Sequence, residues 1–267
     1  MVNKPKVCVL LAAGINRDYD AKHAFEKAGA QVERVHVNTL ASREKILKEY
    51  QILMLPGGFS FGDDIASGKV LANKLKYKVL DQILEFISDR KLIFGVCNGF
   101  QVMVKLGLLP GFNDDYKTQL TTLTFNDSGK FEDRWVHLKV NSNSNCIFTK
   151  GINELLYVPV CHGEGKFVVE DKEVLKKISL NKQVVVQYVD TEGSFAGYPF
   201  NPNGSVNNIA GICDETGRVF GMMPHPEDFI RKTHHPGWTR ENVLESGSGL
   251  KFFINAVGYA RENLSSL

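Results

Sequence analysis

The chain has 267 residues, of which 43% are hydrophobic and 23% charged, with a formal net charge of +2. Such a composition fills one globular core and argues against disorder, and with no long run of like charges it gives no footing for nucleic acid or a membrane surface. No apolar stretch approaches the ~18 residues of a membrane span. The cysteines Cys8, Cys97, Cys146, Cys161 and Cys213 are odd in number and show no C-x-x-C pair, so a reduced cytosol is expected rather than a disulfide framework or zinc ribbon. The opening "MVNKPKVCVLLAAG" places lysines before an apolar run, as a signal peptide would. Its brevity, its β-forming residues and the structured sequence after it predict a first strand instead.

Short apolar runs then alternate with amphipathic ones, the pattern of a parallel sheet covered by helices. "KVCVLLAA" reads as a strand, "DAKHAFEKAGA" as a helix closed by Gly29, "QVERVHV" as a second strand and "REKILKEY" as a helix. "QILMLPGG" is a strand ending in a loop, and Val70 to Arg90 holds helical segments. "KLIFGV", apolar after Lys91, suits a central strand buried on both faces, and "NGFQVMVKLGLL" runs on as a helix toward Pro110. Beyond Pro110, "RWVHLKV", "KFVVE" and "QVVVQYV" predict strands, some antiparallel, that extend the same domain. "NNIAGICDETGRVFGMMPHPE" predicts a hairpin turning at Glu215 to Gly217 and ending in a polar loop. In the last segment Leu250, Phe253, Ile254 and Val257 recur at helical spacing, giving a packed terminal helix. The expected fold is α/β, an open, mostly parallel, flavodoxin-like sheet with helices on both faces and antiparallel strands in the C-terminal half. One domain, residues 1–267, is expected.

Cys97 lies between Gly95 and Gly99 where an apolar strand meets a helix. A sharp strand-to-helix turn presents a nucleophile above a sheet, and the helix N-terminus favours a thiolate and offers N–H groups to an oxyanion. Buried packing is the alternative for any cysteine, and it is preferred for Cys8 and Cys213. A cysteine nucleophile needs a base, and the base an orienting carboxylate. In "MPHPE", His225 and Glu227 are two apart; in extended chain both side chains would leave one face. His23, His36, His137, His234 and His235 lack such a partner and fit structural or solvated roles. The glycine pair in "LMLPGGFSFGDD" ends a strand and can aim N–H groups outward, though Gly-Gly is commonly only a turn. Asp63 and Asp64 read as solvated or capping carboxylates rather than metal ligands.

Taken in order, "PGGFSFGDD", "GVCNGFQ" and "MMPHPE" resemble the class I (triad) glutamine amidotransferases. That resemblance implies Cys97 as nucleophile, His225 as general base and acid and Glu227 as its orienting partner. It also implies backbone N–H groups of Gly58 and Asn98 as the oxyanion hole, Gly57 shaping the loop, and Gln101 contacting substrate. Within the class, "GGFSFGDDIASGKVLANKL", "RWVHLKV", "VCHGEGKF" and "NPNGS" are similar to glutaminase subunits of phosphoribosylformylglycinamidine synthases. There His162, Gly163 and Glu164 match positions bordering the glutamine pocket, a structural role for His162 remaining open. Asp228 and Phe229 depart from the family's usual Glu-Arg continuation, and the stretch 228–249 has no assigned role.

The resemblance implies a cytoplasmic enzyme that hydrolyses glutamine and passes ammonia to a large synthetase subunit, with a small accessory subunit as a further candidate partner. ATP and magnesium are expected on that partner, since no Walker-type loop occurs here, and no metal or cofactor is expected on this chain. The alternatives are the glutaminase of another amidotransferase, a DJ-1-like protein with a reactive cysteine elbow, or a non-catalytic binding module.

Overall fold

The computed structural model describes residues 4–264, so the outermost residues of the expected 1–267 domain lie outside it. In chain order the elements are β1 (Lys6–Leu11), α1 (Asp18–Lys27), β2 (Gln31–His36), α2 (Val37–Ala41), β3 (Ile52–Leu55), α3 (Lys69–Lys78), α4 (Leu80–Ser88), β4 (Leu92–Val96) and α5 (Asn98–Leu106). There follow β5 (Thr121–Thr124), β6 (Glu132–Val140), β7 (Leu156–His162), β8 (Lys166–Val169), α6 (Lys172–Leu180), β9 (Val184–Val189), β10 (Ile209–Cys213), β11 (Val219–Met222) and α7 (Leu250–Asn263).

A 9-stranded sheet has the order β2-β1-β3-β4-β11-β10-β9-β6-β7. From β2 to β11 neighbours run parallel, and from β11 onward each pairing is antiparallel. β3, β4 and β11 are adjacent, with Leu55 opposite Gly95 and Met222 opposite Val96. Their carboxyl ends therefore open side by side, where ligands sit in sheets of this kind. The alternation of β4 shows how both faces are covered. Phe94 packs on Phe252, Phe253 and Phe148, with ring centroids 5.0–6.4 Å away, and stacks on Phe220 of β11 at 5.2 Å. Gly95 faces the other way, where a Cβ would strike Met103 of α5 at 2.2 Å. α7 thus covers one face and α5 the other.

Several expectations need correction. "REKILKEY" is not an α-helix: Arg43 takes a φ of 62° and only Leu47–Glu49 turns, as a 3-10 helix. Tertiary bonds override the local preference, since Leu47 N–H donates to Gln82 Oε1 and Lys91 Nζ donates to the Lys48 carbonyl. "KFVVE" does form a strand, but β8 pairs with β5 in a separate 2-stranded sheet. In the terminal helix Ile254 is 49% exposed, while Phe252 is buried in its place. The polar loop expected at the end of the β10–β11 hairpin is buried, His225 and Glu227 each being 1% exposed.

The stretch after the hairpin folds back over the outer strands. Phe229 and His235 close on Trp135 of β6 with centroids 5.5 and 5.7 Å away, and His235 lies 5.5 Å from Tyr157 of β7.

Candidate active site

Cys97 occupies the single residue between β4 and α5 with φ 51° and ψ −108°. A side chain in that region costs on the order of 1–3 kcal/mol and is held by its surroundings. Cys97 N–H donates to the Met222 carbonyl at 2.8 Å and its own carbonyl accepts from Gln101 at 3.0 Å, so β11 and α5 fix the turn between them. Gly99 lets the helix start this close to β3: a Cβ there would meet the Leu55 carbonyl oxygen at 1.9 Å.

The loop after β3 faces this turn. Both Asn16 and Arg17 donate their N–H to the Gly57 carbonyl, and Phe59 N–H donates to Gly14, leaving the Gly58 N–H out of the bridge that Gly58 forms with Ile15. Gly58 holds a φ of 144°, open to glycine. A Cβ on Gly57 would lie 2.7 Å from His225 Cε1 and 3.5 Å from Cys97 Cβ, so this loop touches both residues. Asn98 N–H, at the first turn of α5, has no acceptor within the helix itself.

His225 and Glu227 meet, though not by the predicted extended geometry. His225 precedes a 3-10 turn, Pro226–Asp228, which curls the Glu227 carboxylate back until Oε1 lies 2.7 Å from His225 Nδ1. The turn is placed from outside, His225 N–H donating to the Pro159 carbonyl of β7 at 2.9 Å. Burial opposes charge on the imidazole, but the Glu227 carboxylate, Cys97 and hydrogen bonds to the thiols of Cys161 and Cys97 outweigh it and hold its pKa well above the ordinary value. For the Cys97 thiol burial prevails, pushing it up against the pull of His225.

Cys161 was not singled out by the sequence, yet its Sγ lies 3.3 Å from His225 Nε2, while its carbonyl accepts from Cys97 Sγ at 3.7 Å. Burial would raise this thiol, but the hydrogen bond and charge of His225, together with Arg17, bring it below the ordinary cysteine value. Arg17, also missed, pairs with Asp228 at 3.3 Å and with Asp20 at 3.4 Å. Asp228 is pushed up to about 6, chiefly by burial and by the charge of Glu227. The "VCHGEG" stretch contained the signal for Cys161, and the position of Arg17 in the loop after β1 that for the arginine.

Around this centre the remaining named residues form a network. Asn98 Nδ2 donates to Gln101 Oε1 at 2.9 Å and to Asp63 Oδ1 at 3.1 Å, and Gln101 Nε2 donates to the Glu164 carbonyl at 2.7 Å. The Glu164 carboxylate accepts from Ser67 N–H at 3.2 Å and stands 3.8 Å from Lys105 Nζ. Asp63 caps the approach to α3, accepting from Ser67 Oγ and Gly68 N–H. The 162–165 turn hangs on Asn126, which donates to the His162 carbonyl at 2.8 Å and accepts from Gly165 at 2.9 Å, its own N–H donating to the Gly163 carbonyl. His162 is 2% exposed beside Asn203, and burial together with the charge of His225 lowers it to about 3, so it stays neutral. "NPNGS" is the buried support beneath: Ser205 Oγ donates to Asn203 Oδ1 at 2.7 Å and accepts from Phe167 N–H at 2.9 Å.

Among the described residues no group of three or more His, Cys, Asp or Glu is arranged to hold a metal ion, and no helix is long and apolar enough to cross a membrane. A thiol beside an imidazole on a carboxylate can perform acyl transfer through a thioester, with backbone N–H groups of the adjoining turns available to an oxyanion.

A family model described as a CobB/CobQ-like glutamine amidotransferase domain matches residues 4–260. The phosphoribosylformylglycinamidine synthase subunit PurQ of Dehalococcoides mccartyi is 47% identical over 262 residues, covering 98% of this chain and 100% of that one. The subunit of the same name from Methanococcus maripaludis strain S2 is 45% identical over 267 residues, covering 96% and 97%. A chain in the structure of PurLQS from Thermotoga maritima superposes with a TM-score of 0.73 at 32% identity, over 96% of this chain and 99% of that one. A glutamine amidotransferase from Thermotoga maritima, with a TM-score of 0.54 at 14% identity over 98% and 99% of the two chains, shares the fold.

Proposed function

Because the chain belongs to the CobB/CobQ-like glutamine amidotransferases, we propose that its buried thiol–imidazole–carboxylate group is the glutaminase centre of a phosphoribosylformylglycinamidine synthase. The chain is the glutaminase subunit: it hydrolyses glutamine and delivers ammonia to a large synthetase subunit, which converts formylglycinamide ribonucleotide to formylglycinamidine ribonucleotide in purine synthesis.

The observation that carries the site assignment is the meeting of Cys97 and His225 at the ends of adjacent strands, with Glu227 2.7 Å from the far imidazole nitrogen. Cys97 gives its proton to His225 Nε2 and its sulfur attacks the carboxamide carbon of glutamine. Negative charge on the tetrahedral oxygen falls to the Gly58 and Asn98 N–H groups. The C–N bond then breaks, His225 protonates the departing ammonia, and a glutamyl thioester remains on Cys97. Water activated by His225 releases glutamate and restores the thiol. Glu227 keeps the imidazole oriented and steadies its positive charge. Gly57, Gln101 and the His162–Glu164 turn border the glutamine pocket in this reading, Gln101 and Glu164 acting as parts of the wall that ties α5 to the turn.

ATP and magnesium belong to the synthetase, where the amide oxygen is activated. Cys97 is only 5% exposed, which supports a site that works at full rate with its partner rather than alone. The free thiols support a cytoplasmic setting. The test is product formation by the synthetase with ATP, formylglycinamide ribonucleotide and glutamine. Adding this chain should restore glutamine-dependent turnover, and Cys97→Ala should abolish it while added ammonia still supports the synthetase. Turnover with glutamine that does not depend on this chain, or that survives Cys97→Ala, would reject the reading.

A further inference from the structure

The glutaminase mechanism uses one thiol, yet the structure sets two against the same imidazole. Cys161 Sγ lies 3.3 Å from His225 Nε2, the nitrogen that must take the proton of Cys97. Cys97 Sγ meanwhile faces the Cys161 carbonyl oxygen at 3.7 Å as well as the ring. Cys161 has a cation of its own in reach, since the charge of the Arg17 guanidinium, anchored on Asp228 at 3.3 Å, acts on its thiol. Arg17 is in turn fixed by its backbone, whose N–H donates to the Gly57 carbonyl at 3.2 Å.

One imidazole can carry only one extra proton. If the proton on Nε2 comes from Cys161, the charge pair is Cys161 thiolate with His225 imidazolium, and Cys97 is left a neutral thiol. The surroundings favour that assignment, because burial keeps the Cys97 thiol protonated while His225 and Arg17 draw Cys161 toward the thiolate. The groups facing the ring are Glu227, Cys97 and Cys161; His162, Asp228 and Tyr188 of β9 lie within reach of its charge, and Arg17 acts on the second thiol.

We propose that Cys161, braced by Arg17 and Asp228, is a positioning residue that occupies the catalytic nitrogen of His225 in the isolated chain, and that full activity requires this contact to be given up to Cys97. The inference rests on the glutaminase reading and adds a resting state to it: the base is present but engaged by the wrong thiol. A partner or substrate that displaces Cys161, or restores its proton, releases the base.

The experiment is peptide-mapped alkylation of the isolated chain with iodoacetamide across pH, in the wild type, Cys161→Ser and Cys161→Ala, beside steady-state glutamine hydrolysis. In the wild type Cys161 should react before Cys97 at neutral pH. In both variants Cys97 should alkylate about tenfold faster at neutral pH, its profile moving about one unit toward acid. The kcat of the isolated chain should rise with KM unchanged, narrowing the stimulation given by the synthetase. The shift of the profile separates ionisation from mere access, which would change the rate at every pH alike. An unmoved Cys97 profile in both variants, or Cys97 reacting first in the wild type, would overturn the inference. Labelling of wild-type Cys97 by a diazoketone analogue of glutamine in the synthetase complex keeps the two claims apart. If it succeeds while the variants leave Cys97 unmoved, only the positioning role falls; if it fails, the glutaminase reading falls with it.

Discussion

The two halves of the sheet contribute to one centre by different physical means. In the parallel half, from β2 to β4, each group sits on the loop that immediately follows its strand, and its placement is a matter of local backbone: Gly57 and Gly58 after β3, and Cys97 at a φ of 51° after β4. In the antiparallel half the groups are placed by contacts distant in sequence. His225 is set by the Pro159 carbonyl, Cys161 reaches it from β7, and the 162–165 turn hangs on Asn126. The first half stores backbone strain and the second stores buried charge, so the nucleophile is fixed by geometry while the base is governed by electrostatics.

The largest test of that contrast is Glu227→Gln. It leaves every parallel-half contact in place but removes the charge that holds the His225 imidazolium, so kcat for glutamine in the synthetase complex should fall by about 10³-fold. A fall below tenfold would mean the charge in this half is dispensable. Gly57→Ala probes the other side, its Cβ arriving 2.7 Å from His225 Cε1 and displacing the ring from Cys97. A loss of about 10²-fold in kcat is expected, with a small change in thermal stability. An unchanged kcat would show the loop yields freely.

Asn126→Ala should act through the scaffold. It deletes bonds to the His162 and Lys130 carbonyls and to Gly165 N–H, at a cost of about 2 kcal/mol in urea unfolding, and should raise KM more than it lowers kcat. The smallest effect concerns the strain itself. At the Cys97 position Gly should be more stable than Ala by about 1 kcal/mol, the reverse of the order in ordinary helix or strand, because the positive φ suits glycine. If Ala proves the more stable, the elbow is not strained.

The same contrast explains what the sequence disclosed. Apart from "REKILKEY", the crossover helices and the strands β1 to β4 follow from hydrophobic period and length, and the "GVCNG" elbow and "PGG" loop are local patterns, so most of the parallel half was readable along with its site groups. β7 was not singled out, because Pro159 interrupts "LYVPVCH"; on the sheet edge that proline is harmless and its carbonyl holds His225. The Thr-rich β5 and the separate pairing of β8 depend on partners no local window contains. His225 and Glu227 were paired correctly for a reason that the 3-10 turn replaces. Cys161 and Arg17 stayed hidden because their meaning lies in proximity to His225 across 64 and more than 200 residues of chain, as the Cys161 contact and the Arg17–Asp228 pair show.

The central claim, that a strained thiol from one half and a buried base from the other make one glutaminase centre, is tested most directly by intact-mass and peptide-mapped labelling with a diazoketone analogue of glutamine in the synthetase complex. The account predicts a single adduct on Cys97, suppressed by glutamine and strongly slowed by Glu227→Gln. An adduct on Cys161 or elsewhere, or none with the synthetase present, would contradict it.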